Sequence, residues 1–105
     1  MRLSAELRER TKNYVSGIIQ FYVKLPKGRE EVRVLGKQLL RSGTSVAAHT
    51  REASRARSNS EFCSKLDGLL QEADESQLWL ELLRETDELP AIFTTMVSKL
   101  RKRGD

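Results

Sequence analysis

Apolar residues recur at three- and four-residue spacing along most of the chain, the period of an amphipathic helix. In the first stretch Leu7, Thr11, Tyr14, Ile18, Phe21 and Leu25 keep that alternation. Val15, Ile19 and Tyr22 widen the stripe, which suits contact with more than one neighbour. Ser4 is a good N-cap, so a first helix is expected over about Ser4 to Val23. Pro26, with no N–H to donate, and the permissive Gly28 should end it.

A second helix is expected from about Arg29 to Arg55, roughly 40 Å long at 1.5 Å per residue. Val32, Leu39, Val46 and Ala53 fall seven apart, and beside them Gly36, Gly43 and Thr50 fall seven apart. Such a row of small and apolar side chains is a face that other helices can approach closely. Each interior glycine costs about 1 kcal/mol of helix propensity relative to alanine, and close packing is the simplest compensation. The opposite face carries Arg33, Lys37, Arg41 and Ser45 at four-residue spacing, with Arg51, Arg55 and Arg57 beyond.

Ser58-Asn59-Ser60-Glu61 reads as a capping box opening a third helix that runs to about Arg84. Phe62, Leu66, Leu69, Ala73, Ser76, Leu80 and Leu83 form its seam, the clearest periodic signal in the chain. Its last turns, Leu78-Trp79-Leu80-Glu81-Leu82-Leu83, are apolar nearly all round. That places Leu78, Trp79 and Leu82 as candidates for a subunit contact. Asp87 and Pro90 then suit the start of a short fourth helix, about Glu88 to Lys102, with Leu89, Ile92, Phe93, Met96, Val97 and Leu100 on its apolar face. One long helix kinked at Pro90 fits the same residues. The architecture expected is an all-α antiparallel up-down four-helix bundle with a short fourth helix, residues 1–105 forming one domain. A short fourth helix leaves part of the seam for another copy to cover, so self-association is expected.

Composition narrows the partners. The net charge is +4, but its distribution matters more than its sum. The first 57 residues hold thirteen basic and five acidic side chains, whereas residues 58–86 hold two and seven. Either the acidic third helix neutralises the basic ones, or a basic face is left for an anionic partner. The C-terminal Lys99, Arg101, Lys102 and Arg103 are a second basic cluster, and they also suit a helix C-terminus electrostatically. No apolar run is long enough to cross a bilayer, and Met1 to Arg10 has no signal-peptide core. A single cysteine, Cys63, cannot form an internal disulfide. These features point to a cytoplasmic protein.

Catalytic chemistry is hard to build from these residues. His49 is the only histidine, between Ser45 and Glu52 on one helix. Side chains leaving one helix side by side do not surround a reacting atom. No pair of Glu-x-x-His motifs for a di-metal site is present, nor a glycine-rich phosphate loop. Glu72, Asp74 and Glu75 fit a solvated or arginine-paired face better than a metal site. Cys63 beside the third seam is expected to be a small buried hydrophobe. No cofactor, metal or enzymatic role is therefore expected. Helical arginine and lysine at four-residue spacing can meet successive phosphates without reading sequence. Arg33, Lys37, Arg41, Arg51, Arg55, Arg57, Lys99, Arg101, Lys102 and Arg103 are the candidate phosphate-binding residues. Tyr14, Phe21 and Tyr22 lie on the apolar stripe and are expected in the core, not stacked on bases.

The runs Leu39-Leu40-Arg41-Ser42-Gly43-Thr44-Ser45-Val46, Arg51-Glu52-Ala53, Arg55-Ala56-Arg57-Ser58, Glu61-Phe62, Lys65-Leu66, Glu72-Ala73-Asp74-Glu75 and Trp79-Leu80-Glu81-Leu82-Leu83 resemble the bacterial four-helix bundle proteins encoded in intervening sequences of large-subunit ribosomal RNA genes. That family is also similar to the accessory variability proteins of diversity-generating retroelements. The resemblance implies a ring-like homopentamer, a basic surface that binds nucleic acid and, in the retroelement branch, a reverse-transcriptase partner. It spans about Leu7 to Leu83, with Ala91-Ile92-Phe93 like the end of the family's last helix. Asparagine is usual in the family where this chain has His49, and the family's fourth helix starts earlier. The function expected is a non-catalytic oligomeric nucleic-acid-binding or scaffolding protein. The alternative is a purely structural self-assembling bundle.

Overall fold

The computed structural model describes residues 3–86. Three helices form there, each where its capping and periodicity place it: α1 (Ala5–Lys24), α2 (Glu30–Ser54) and α3 (Asn59–Arg84). Among the described residues there is no β-strand. The expected fourth helix, residues 88–102, lies outside them.

Caps fix the starts. Ser4 Oγ accepts from the Leu7 N–H at 3.1 Å, and Ser58 Oγ accepts from the Glu61 N–H at 3.1 Å, each satisfying a donor the helix cannot. Between them, α2 starts at Arg29 without a side-chain cap. Glu30 and Glu31 in its first turn instead complement the helix dipole. Leu25 takes an extended conformation, as the residue before a proline must, and closes α1. Lys27 Nζ lies 3.3 Å from the Leu25 carbonyl and 4.5 Å from the centre of the Tyr22 ring, covering that helix end. Gly28 has no positive φ, and a Cβ there would meet nothing within 4 Å. Pro26 therefore makes the turn without help from glycine.

The two interior glycines of α2 are both buried and both set the approach of α1. A Cβ on Gly36 would fall 2.8 Å from Leu25 Cδ1, and one on Gly43 would fall 2.7 Å from Ile18 Cδ1. Late α1 thus meets early α2, an antiparallel pair. On its other side α2 meets α3 through a third glycine. A Cβ on Gly68 would lie 2.9 Å from the His49 ring, so the imidazole fills the gap between these helices. Ser42 faces Ser76 at 2.8 Å one layer on, which makes α3 antiparallel to α2 as well. The up-down order expected from the sequence is therefore present for three helices.

Apolar burial is concentrated at one end. Ile18, Phe21 and Leu25 of the first hairpin pack with Val32 and Leu39 of α2 and Leu80 and Leu83 of α3. Tyr14, Tyr22, Leu35 and Trp79 lean on this cluster. Toward the other end the seam thins. Phe62, Leu66 and Leu69 are only half-buried, and Leu7 is 42% exposed. Cys63 is exposed there, contrary to the buried position its neighbours suggested. The first turns of α3 have too little packed over them to cover it.

A polar node sits in the middle of the bundle. Ser76 Oγ lies 2.9 Å from the Glu72 carbonyl, 2.8 Å from Ser42 Oγ and within hydrogen-bond reach of the Tyr14 hydroxyl, and Ser42 Oγ in turn donates to the Leu39 carbonyl at 3.2 Å. The hydroxyls of Tyr14, Ser42 and Ser76 thus meet in one cluster that links all three helices. Burial pushes the Tyr14 phenol above its ordinary value, partly opposed by the Ser76 hydrogen bond. A raised folded-state pKa means the contribution to stability is intact below the unfolded value near 10 and fades as pH rises through the folded one. Urea denaturation from pH 8 to 11.5 should show alkaline weakening that is smaller in Tyr14→Phe. An unchanged slope in that variant would show that Tyr14 is not the responsible group.

Candidate nucleic-acid interface

At 3.6 residues per turn, Arg33, Lys37, Arg41, Thr44, Ala48, Arg51 and Arg55 fall within an arc of about 80° on α2. All seven are exposed. They point away from the glycine face that receives α1 and from Ser42 and His49, which receive α3. The cationic stripe thus follows from the core packing: once the small residues turn inward, the long basic ones have only solvent left. Thr44 and Ala48 split it into two clusters whose facing members, Arg41 and Arg51, are about 15 Å apart along the axis. Arg57, beyond the end of α2, is exposed as well.

Pairing divides the candidates. Arg33 is tied to Glu30 one turn back, so its charge is locally answered. Lys37, Arg41, Arg51, Arg55 and Arg57 have no ion-pair partner among the described residues. An ion pair that does cross from α2 to α3 runs the other way, with Lys65 of α3 at 3.5 Å from Glu52 of α2. Within the described part of one chain, the acidic third helix therefore leaves the α2 cations unneutralised. Lys99, Arg101, Lys102 and Arg103 lie outside the described residues.

The structure adds one cation that the sequence reading did not select. Arg8 of α1 borders a recess shared with Arg51, Ser54 and Arg55. Its signal was available only through register: if Ile18 sits opposite Gly43, the antiparallel turn-by-turn pairing brings Arg8 level with the end of α2.

The remaining candidates are structural in this setting. His49 is wedged against Gly68, with Nδ1 3.2 Å from Glu52 Oε2 but outside hydrogen-bond geometry. Ser45 is not joined to it by any hydrogen bond, so Ser45, His49 and Glu52 do not form a relay. Among the described residues no cluster could hold a metal ion, and no helix is long and apolar enough to cross a membrane. Phe21 is buried and Tyr14 and Tyr22 are partly buried in the core, so these aromatics offer no stacking platform. Of the candidate subunit contacts, Leu78 is 45% exposed, while Trp79 and Leu82 are half-buried.

Residues 4–102 match the family model described as 23S rRNA-intervening sequence protein. The chain is also similar to a crystal structure from Bacteroides thetaiotaomicron, described as a protein with unknown function from the S23 ribosomal protein family. The two share 32% identity and a TM-score of 0.76, over 91% of this chain and 86% of the other. No curated protein matches the chain.

Proposed function

The chain belongs to the 23S rRNA-intervening sequence protein family, and from that premise we propose that it is a non-catalytic, self-associating protein that binds nucleic acid by its phosphates. The observation that carries this reading is the exposed stripe of Lys37, Arg41, Arg51 and Arg55, cations without a carboxylate partner among the described residues. A row of uncompensated charge on a rigid helix repels itself, and a polyanion relieves that repulsion while releasing its own counterions. Base stacking has no support in this surface, because the stripe offers charge without aromatic side chains. Binding is therefore expected to follow charge density and not sequence.

Self-association is part of the same proposal. Ile19, Val23, Leu70 and Leu78 are large apolar side chains left in solvent on two helices, and a second copy of the chain would cover them. A ring would repeat the basic stripe around its circumference and multiply weak contacts by avidity. In a narrower form, the protein would be an accessory that presents nucleic acid to a reverse transcriptase, its partner binding the assembled ring.

The salt dependence tests the phosphate mechanism. Five cations per subunit, Arg8 included, should give a slope of log affinity against log salt near −3.5 for single strands. Affinity for an RNA oligonucleotide should then fall by about 100-fold between 50 and 200 mM salt. A flat salt titration by fluorescence anisotropy, or no binding at 50 mM, would rule the mechanism out.

A further inference from the structure

The recess between the start of α1 and the end of α2 has features that a mere stretch of basic helix lacks. Its volume is about 290 Å³, and Arg8, Arg51, Ser54 and Arg55 line it. Three arginines on two helices border it, and none is ion-paired among the described residues. The neighbouring carboxylate on α2, Glu52, turns to the other side, toward His49 and Lys65. Ser54 Oγ is buried and has no hydrogen-bond partner. A buried hydroxyl without a partner is uncommon, because it forgoes a hydrogen bond it would make in water. Arg8 is also misplaced by helix electrostatics, since a cation near a helix N-terminus opposes the dipole.

Each of these oddities is resolved by one occupant, a compact anion with several acceptor oxygens. Guanidiniums offer paired N–H donors matched to phosphate, and Ser54 would supply one more donor from the floor. We propose that this recess binds the terminal phosphate of a nucleic-acid strand, resting on the nucleic-acid reading above and refining it. Charge favours the strand's end over its middle. A phosphodiester carries one negative charge, whereas a terminal phosphate carries between 1.5 and 2 at neutral pH, with about the usual second pKa of 6. Three arginines in one concavity answer the larger charge. A strand end also enters a recess closed by two helices without having to leave on the far side. The rest of the strand then runs onto the Lys37 and Arg41 half of the stripe.

The test uses one RNA oligonucleotide in three forms, with a 5′-phosphate, with a 3′-phosphate, or with hydroxyls at both ends. Binding is measured by anisotropy to the full-length protein and to Arg8→Gln, Ser54→Ala and Lys37→Gln/Arg41→Gln. At least one phosphorylated form should bind about tenfold tighter than the hydroxyl form. Ser54→Ala should erase that preference while leaving hydroxyl-form affinity within about twofold. Arg8→Gln should erase it as well and also weaken the hydroxyl form by up to about fivefold, the loss of one phosphate contact. Lys37→Gln/Arg41→Gln should weaken all three forms alike and keep the preference. Inorganic pyrophosphate should compete for the preference alone. Equal binding of all three forms, or a preference that survives Arg8→Gln, would overturn the terminal-phosphate site and leave general phosphate binding standing. No binding of any form would overturn both.

Discussion

Reversing Lys37, Arg41, Arg51 and Arg55 together to glutamate should lower affinity for RNA by at least about 100-fold and leave the oligomeric state unchanged. An exposed cation against a phosphate contributes up to about 1 kcal/mol, and four of them amount to a factor of roughly 100 to 1,000. Replacing attraction with repulsion only widens the loss. The fold should tolerate the change. All four side chains are exposed and none has an ion-pair partner among the described residues, so no local pairing is lost. Glutamates at positions 51 and 55 oppose the dipole at the C-terminal end of α2, at about 0.3–1 kcal/mol each. Thermal denaturation should therefore drop by only a few degrees. Arg33 is left out deliberately, because its pairing with Glu30 would mix a stability effect into the binding one. The competing picture, in which another subunit's acidic α3 neutralises this stripe, makes the opposite forecast. There the quadruple variant would fall apart into monomers in sedimentation analysis, and that result would displace the nucleic-acid reading.

The residues that were legible in the sequence are those whose signal is local. Ser4 and Ser58 announce caps because the bond they make is to a backbone three residues on, and both make it. Gly36 and Gly43 announce a narrow face because seven-residue spacing keeps them on one side of α2 whatever packs there. The exposed stripe follows from the same argument. What stayed hidden needs the pairing between helices. Gly68 means nothing until His49 is seen opposite it, and Arg8 is one basic residue among several until register sets it beside Arg51 and Arg55. The third seam misled in one respect. Its period holds to the end, but period alone gives the direction of a side chain and not the depth of cover. Phe62, Leu66 and Cys63 therefore share the helix of Leu80 and Leu83 without sharing their burial.

That dependence on close approach makes Gly43 the position where a small addition should do most harm to the fold. Two terms compete at Gly43→Ala. The helix gains about 1 kcal/mol of propensity. The new methyl meets Ile18 Cδ1 at 2.7 Å and Cγ2 at 3.1 Å. Turning the end of the isoleucine relieves only the first contact. Cγ2 is fixed to a β-branched carbon whose χ1 is held, in a side chain that is 1% exposed. Overpacking of this kind costs about 1–3 kcal/mol, so alanine should be neutral to moderately destabilising. Gly43→Val adds two more carbons beyond the methyl and keeps only a few tenths of the propensity gain, and should cost about 3 kcal/mol or more. At Gly36 the near atom is the flexible end of Leu25, with the Tyr22 ring at an ordinary 3.5 Å, so Gly36→Ala should be the milder change. Gly28→Ala is the control: with open space and no positive φ, it should be neutral or stabilise by up to about 1 kcal/mol. Ile18→Ala identifies the cause. Alone it should cost about 2–5 kcal/mol through its cavity, but with Gly43→Val the two losses should fall short of additivity by at least about 1 kcal/mol, because each change fills the space the other leaves. Urea denaturation of the set measures all of these. Additive losses, or a Gly43→Val protein as stable as the parent, would mean that α1 does not rest on α2 at this glycine, and the outward arrangement of the arginines would lose its physical basis.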